Sequence, residues 1–238
     1  LSRRRSRFIL DIRLTLRRLA YSAAVTLEQR LKWHRWMIRT KILDGHLKDL
    51  FVEGVETPDG ARFGGKGFRS TWQEAVAACG TAIEGGTDFA APMIRDLGLA
   101  LALGQTPLSI MAAQMGKSES KMNGGHAGSG GRDLHIGDWS KGILPPTAPL
   151  PIASATITGM ALASKRLGLR RFHLAPVGEG CSSSGEFWEA INLAGVRGLR
   201  FAMSFRIIKS LSIHSQGGNL GRRRSVTRAL LWVCLLGQ

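Results

Sequence analysis

Cysteine is scarce in this chain: Cys79, Cys181 and Cys234 are the only three in 238 residues, and no two form a CxxC pair. That spacing excludes a disulfide framework and a structural zinc site, and it suits a reducing compartment. Long hydrophobic runs are absent too. The stretch from Ala229 to Leu236 is far short of the roughly 18 residues a membrane-spanning helix needs, so no membrane partner is expected. Acidic residues are few, 17 against 33 Lys and Arg, and the shortage is local. Residues 1–25 hold seven Arg and one acid, Asp11, while residues 197–238 hold eight Lys or Arg and no acid. Of the net charge of +16, all but +2 lies in those two ends. A nucleic-acid-binding domain carries its basic patch on a folded face with aromatic or motif support. The middle of this chain has neither, so no nucleic-acid partner is expected.

What is present reads as three segments. Residues 1–25 are an atypical Arg-rich segment. It begins with Leu, which fits an incomplete start better than a mitochondrial transit peptide. From Thr26, apolar residues Leu31, Met37, Ile38, Leu43, Leu47, Leu50 and Phe51 recur at helical spacing between Lys and Arg. This predicts an amphipathic helix ending at Gly54 and a Pro58-Asp59-Gly60 turn. Ser70 then caps a helix from Trp72 to Ile83. Asp88 to Met93 reads as a short buried segment, Ile94 to Leu103 as a helix, and Pro107 opens another to Met115. The Gly-rich stretch 116–142 has no apolar periodicity and reads as a loop, of a length that is usually functional or disordered. A small-residue helix runs from Pro149 to Arg166, a strand from Phe172 to Val177, and a helix from Phe187 to Val196. Strands alternating with helices predict an α/β domain with a mainly parallel sheet flanked by helices over residues 26–196.

The unit with most chemical content is strand, Gly178-Glu179-Gly180, helix. Two glycines let the backbone turn sharply off the strand. The helix that follows offers free N–H groups and a positive dipole end to phosphate, and the carboxylate between the glycines suits a magnesium ion bridging phosphate oxygens. The turn falls at the carboxyl end of a strand, where open α/β sheets bind ligands. Taken alone, the same pattern also describes a tight turn with a solvated Glu.

The surrounding stretch Val177–Ala194, VGEGCSSSGEFWEAINLA, closely resembles the thiamine-diphosphate motif in the alpha subunit of the first, decarboxylating component of 2-oxo acid dehydrogenases. Further segments match in order: Trp36–Leu47 (WMIRTKILDGHL), Gly67–Ala75 (GFRSTWQEA, with Trp72 where Gly is usual), Met93–Gly98 (MIRDLG, with Ile94 for Tyr), Gly130–Asp138 (GGRDLHIGD) and Pro149–Lys165. The resemblance implies an oxidoreductase of the thiamine-diphosphate-binding fold. Its chemistry would be oxidative decarboxylation of pyruvate or a branched-chain 2-oxo acid, with the acyl group passed to a lipoyl group. It implies Glu179 as magnesium ligand, and Gly178, Gly180 and Cys181 as backbone contacts to the diphosphate. Arg95 would grip the diphosphate, backbone groups at Ala148 and Leu150 would meet the aminopyrimidine, and His135 would stand by the substrate. No monovalent-cation site is expected at Ile152 and Ala153. His126 reads as solvated, and His34, His46 and His173 as structural. The implied partners are a beta subunit, which brings the glutamate that activates the aminopyrimidine, and a lipoyl acyltransferase core. The setting is the bacterial cytoplasm, or the mitochondrial matrix if the Arg-rich start is a transit segment. Within the same chemistry, acetoin dehydrogenase is the alternative. Outside it, the alternative is a non-catalytic broken gene product or a basic interaction module.

One departure from the resemblance is large. About 25–30 residues after the acid, such a motif continues with Asn and a hydrophobic strand that complete the magnesium shell. The matching Phe201–Ser212, FAMSFRIIKSLS, has no Asn and no carboxylate, and Asn219 comes too late. Back-translation of Phe201 to Gln216 with a two-nucleotide shift permits Cys-His-Val-Ile-Gln-Asn-Asn-Gln-Ile-Ala-Leu-Asp-Thr. Its second Asn falls about 29 residues after Glu179. The expectation is a frameshift between about Ala194 and Phe201, making residues 197–238 an aberrant basic tail and the chain inactive as written.

Overall fold

A computed structural model describes residues 25–56, 58, 60, 62–63, 68–114, 137–147, 149–206 and 232–236. Helix α1, Leu27–Lys48, starts at a reciprocal cap: the Thr26 hydroxyl accepts from the Gln29 N–H at 3.2 Å, and the Gln29 side chain accepts from the Thr26 N–H at 3.2 Å. A π-turn over Asp49–Glu53 carries it to Gly54, the end the sequence predicts. A short ribbon follows, β1 Val55–Glu56 antiparallel to β2 Arg62–Phe63. The simple amphipathic reading of α1 is corrected. Thr40, Leu43, Asp44 and Leu47 are buried along one side, while Leu27, Leu31, Ile38 and Ile42 are exposed. Apolar residues occupy two faces of one helix.

The helix expected over Trp72–Ile83 shrinks to α2, Val76–Gly80. Trp72 has φ of 66°, outside the right-handed helix, and Ser70 donates its hydroxyl to the Arg95 carbonyl at 2.6 Å instead of capping. After β3, Phe89–Ala90, the chain turns. The Met93 N–H donates to the Asp96 carboxylate at 2.7 Å, so α3 begins only at Leu97 and runs Leu97–Ala102. The remaining elements follow the expected order: α4 Pro107–Gln114, α5 Ile152–Arg166, β4 His173–Gly178, α6 Gly185–Arg197 and β5 Phe201–Arg206, with β6 Trp232–Leu236 beyond them. Residues 116–136 of the Gly-rich stretch, like Met115 before it, lie outside the described residues. Its end forms a 3-10 turn, Trp139–Lys141.

The sheet has the order β3-β4-β5-β6. β3, β4 and β5 run parallel, with Phe89 opposite His173 and His173 opposite Phe201, and β6 is antiparallel to β5. Side chains alternate across it, as a strand requires. Leu174 and Ala202 join Leu43, Leu47, Leu97, Leu99 and Ile110 on the face covered by α1 to α4. Ala175, Val177, Phe201 and Met203 join Ile157, Phe187 and Ala194 on the face covered by α5 and α6. Each large apolar side chain buried this way contributes about 1.5–3 kcal/mol. With helices on both faces, this is the α/β architecture the sequence predicts. β5 is part of this core, although it lies in the segment set apart as a basic tail. In the written frame Phe201, Ala202 and Met203 are apolar and buried, which is what a central strand needs.

His173 is structural, as expected. It is fully buried, with Nε2 3.3 Å from the Ser164 hydroxyl and Nδ1 3.3 Å from the Arg200 carbonyl, and it stacks on Phe89. Burial pushes its imidazole below the ordinary value.

Candidate functional site

The carboxyl end of β4 is assembled mostly from short-range bonds. Gly178 leaves the strand in extended conformation, and Glu179–Ser183 forms a 3-10 turn with Glu179 and Gly180 exposed. The Ser182 hydroxyl donates to the Glu179 carbonyl at 2.6 Å, and the Trp188 indole donates to the Ser182 carbonyl at 2.9 Å. Ser184 is the residue before α6, yet its hydroxyl turns back to the Cys181 carbonyl at 3.2 Å and gives the helix no side-chain cap. The first amides of α6 therefore keep their donor capacity, which suits an anion. Cys181 is buried in the core under α6, in keeping with its reading as a filler with only backbone to offer.

Two other expected segments converge on this turn. A β-carbon placed on Gly178 would lie 3.6 Å from Met93 Cε, the first residue of MIRDLG. One on Gly180 would lie 4.0 Å from Leu150 Cδ1. Arg95 is exposed two residues beyond Met93. His135 and Ala148 lie outside the described residues.

Asp44 was missed by sequence reasoning. It is buried on α1, where its carboxylate accepts from Arg69 Nη2 at 2.7 Å, the Ser70 N–H at 2.5 Å and the Thr71 hydroxyl at 2.7 Å. Ser70 passes the connection on to the Arg95 carbonyl. One carboxylate thus ties together the WMIRTKILDGHL, GFRSTWQEA and MIRDLG segments. The only sequence signal was an acid at the core-facing spacing of a helix.

Asp138 closes the Gly-rich segment in a similar way. It accepts from Gln105, from Ser140 and from Lys141, the last at 3.3 Å. Burial works against its ionisation, but the Ser140 hydrogen bond, the Lys141 charge and the Gln105 amide outweigh it and hold the carboxyl below its usual value.

The metal half of the expectation is less well served. Among the described residues, no three of His, Cys, Asp and Glu come together to hold a metal ion. Strand register sets Arg206 opposite Gly178, and no residue of β5 is an Asn or a carboxylate.

Comparison with known proteins agrees with the segment matches. The family described as "Dehydrogenase E1 component" matches residues 65–205, a stretch that includes β5. The alpha subunit of acetoin:2,6-dichlorophenolindophenol oxidoreductase from Cupriavidus necator is 34% identical over 102 residues, 43% of this chain and 29% of that protein. The alpha subunit of 2-oxoisovalerate dehydrogenase from Bacillus subtilis is 28% identical over 127 residues, 53% of this chain and 37% of that protein. The chain thus matches about a third of the length of each of these relatives.

Proposed function

The chain belongs to the dehydrogenase E1 component family, and on that premise we propose that it is part of an alpha subunit that binds thiamine diphosphate against the Gly178-Glu179-Gly180 turn. What supports this reading is the convergence of Met93 and Leu150 on a backbone turn at the carboxyl end of the middle parallel strand. In this reading Arg95 and the amides of Gly180 and Cys181 hold diphosphate oxygens. Backbone groups at Ala148 and Leu150 orient the aminopyrimidine, and His135 faces the substrate. Bound thiamine diphosphate supplies the carbanion chemistry that opens a 2-oxo acid to decarboxylation. The reaction is oxidative decarboxylation of a small 2-oxo acid with acyl transfer to a lipoyl group. A beta subunit completes the site, and a lipoyl acyltransferase core receives the product. The names of the relatives favour two substrate readings, a branched-chain 2-oxo acid and acetoin.

The written chain fits the diphosphate and does not fit magnesium. Glu179 is the one carboxylate in the turn, and the neighbouring strand Phe201–Arg206 brings no Asn or carboxylate beside it. We therefore keep the frameshift as part of the proposal: an intact gene supplies Asn near position 208, and this chain is inactive without it. Independent genomic and transcript reads from about codon 190 to the end test it. An added or missing base that yields Asn-Asn near position 208 is the expected result. The repaired chain with its beta partner should then show thiamine-dependent decarboxylation. A confirmed frame overturns the frameshift and leaves the magnesium site incomplete; tight magnesium-dependent thiamine-diphosphate binding by the written chain in calorimetry overturns the inactivity.

A further inference from the structure

The turn at Glu179 does not involve the outer face of α1, and that face needs its own explanation. Leu27, Leu31, Ile38 and Ile42 are 71%, 48%, 45% and 56% exposed. They recur at steps of four, seven and four residues, which sets them in one stripe along the helix, opposite the buried Leu43 and Leu47. A single exposed leucine is ordinary, but a continuous stripe at this spacing is the seam of a helix–helix contact. Ile42 also lines a groove of about 550 Å³ between α1 and α4, with Leu101 and Met111 in its wall. The stripe therefore opens into room for a partner side chain.

The edges of the stripe say what covers it. Arg30, His34 and Lys41 run along one edge, and Arg35 and Arg39 along the other with the single acid Glu28 at its start, all exposed. A second copy would bring these bases against themselves. The chain's own remaining long segments are no better suited: residues 1–24 hold seven Arg and one acid, residues 207–231 hold five bases and no acid, and residues 115–136 are Gly-rich without apolar periodicity. A bilayer-surface helix places its aromatic residues on the exposed apolar face. In α1, Trp33 instead donates inward to the Thr81 hydroxyl at 2.9 Å, and Trp36 packs against the core. We infer that the outer face of α1 docks an amphipathic helix of another protein whose apolar seam is flanked by Asp and Glu. The basic edges steer the approach and the stripe holds the complex.

The test uses the full chain and three fluorescent helical peptides of one length. The first carries a leucine stripe flanked by Glu, the second the same residues scrambled to break the stripe, and the third Lys in place of Glu. Fluorescence anisotropy should show the first binding at least about tenfold more tightly than the others. The preference should weaken as salt rises from about 20 to 150 mM. The double substitution Leu31→Gln with Ile38→Gln should lose about tenfold in affinity with an unchanged melting curve, because both residues are exposed. Arg30→Glu with Arg35→Glu should transfer the preference to the Lys peptide. Equal binding of the Glu peptide and its scramble overturns the inference. So does a dimer in sedimentation that the Gln variant dissolves, which assigns the face to a second copy. Binding to phosphatidylserine vesicles that the Gln variant abolishes assigns it to a membrane and equally overturns it.

Discussion

The turn at the end of β4 and the network around Asp44 use polar groups in opposite ways. At the turn, hydroxyls and an indole donate to carbonyls three to six residues away, and Glu179 and Gly180 stay exposed. At Asp44, a buried carboxylate gathers donors from residues 25 to 27 positions away, and the chain of bonds continues from Ser70 to Arg95. The first region offers backbone to solvent at low structural cost. The second gives up solvent contact to fix where three segments lie relative to one another. A turn at a strand end can be built locally, but the backbone at Arg95 is held from across the fold.

The largest effect should come from removing the long-range anchor. Asp44→Ala strands the Arg69 guanidinium, the Ser70 N–H and the Thr71 hydroxyl, and is expected to cost about 3 kcal/mol or more in urea unfolding. Asp44→Asn, which keeps an acceptor oxygen, should recover part of that loss. Next in size is the helix crossing that sets α3 against α1 between these two regions. A β-carbon on Gly98 would sit 2.5 Å from Thr40 Oγ1 and 3.0 Å from Ala77 Cβ. Thr40 is buried and bonded to the Trp36 carbonyl at 2.8 Å, so it has no room to yield. Gly98→Ala should cost about 1–3 kcal/mol through overpacking, read as a lower urea midpoint at unchanged slope. If either substitution leaves stability intact, the division between a local cradle and a distant anchor is wrong.

How much of each region the sequence reveals follows from the range of its bonds. The β4 turn, α5 and α6 are legible because glycine spacing and apolar periodicity are properties of neighbouring residues. The parallel sheet is legible for the same reason, and Met93 and Leu150 both lie in segments that carry the family resemblance. Asp44 is not legible, because its partners become neighbours only after α1 packs on the sheet. The second helix starts late, at Val76, because Trp72 takes a backbone angle that no periodicity encodes. The outer stripe of α1 was visible in part, since Leu31 and Ile38 were noted. Apolar spacing alone does not say which of two faces meets the core.

Trp72 borders the Asp44 network, next to Thr71. Its left-handed backbone costs a bulky residue about 1–2 kcal/mol, and glycine adopts that angle freely. The Lys41 ammonium 5.8 Å from the indole centroid offsets part of this, by about 0.5 kcal/mol for an exposed pair. Trp72→Gly should therefore raise stability by about 0.5–1 kcal/mol, seen as a higher urea midpoint. A loss of stability instead would mean that the indole packs against α1 more than its 60% exposure indicates.

The smallest stability effect is expected at Gly180, and it separates the two regions most cleanly. Gly180 is not among the positive-φ residues, and the nearest atom to an added β-carbon is Leu150 Cδ1 at 4.0 Å, an ordinary contact. Gly180→Ala should shift unfolding by less than about 0.5 kcal/mol. The same methyl group stands on the backbone that a diphosphate would approach. In the frame-repaired protein with its beta partner, the substitution should therefore weaken thiamine-diphosphate binding about tenfold or more while leaving the melting curve in place. Matching losses in both measurements would mean the turn is an element of the scaffold like Asp44. No loss in either would remove the diphosphate from this turn.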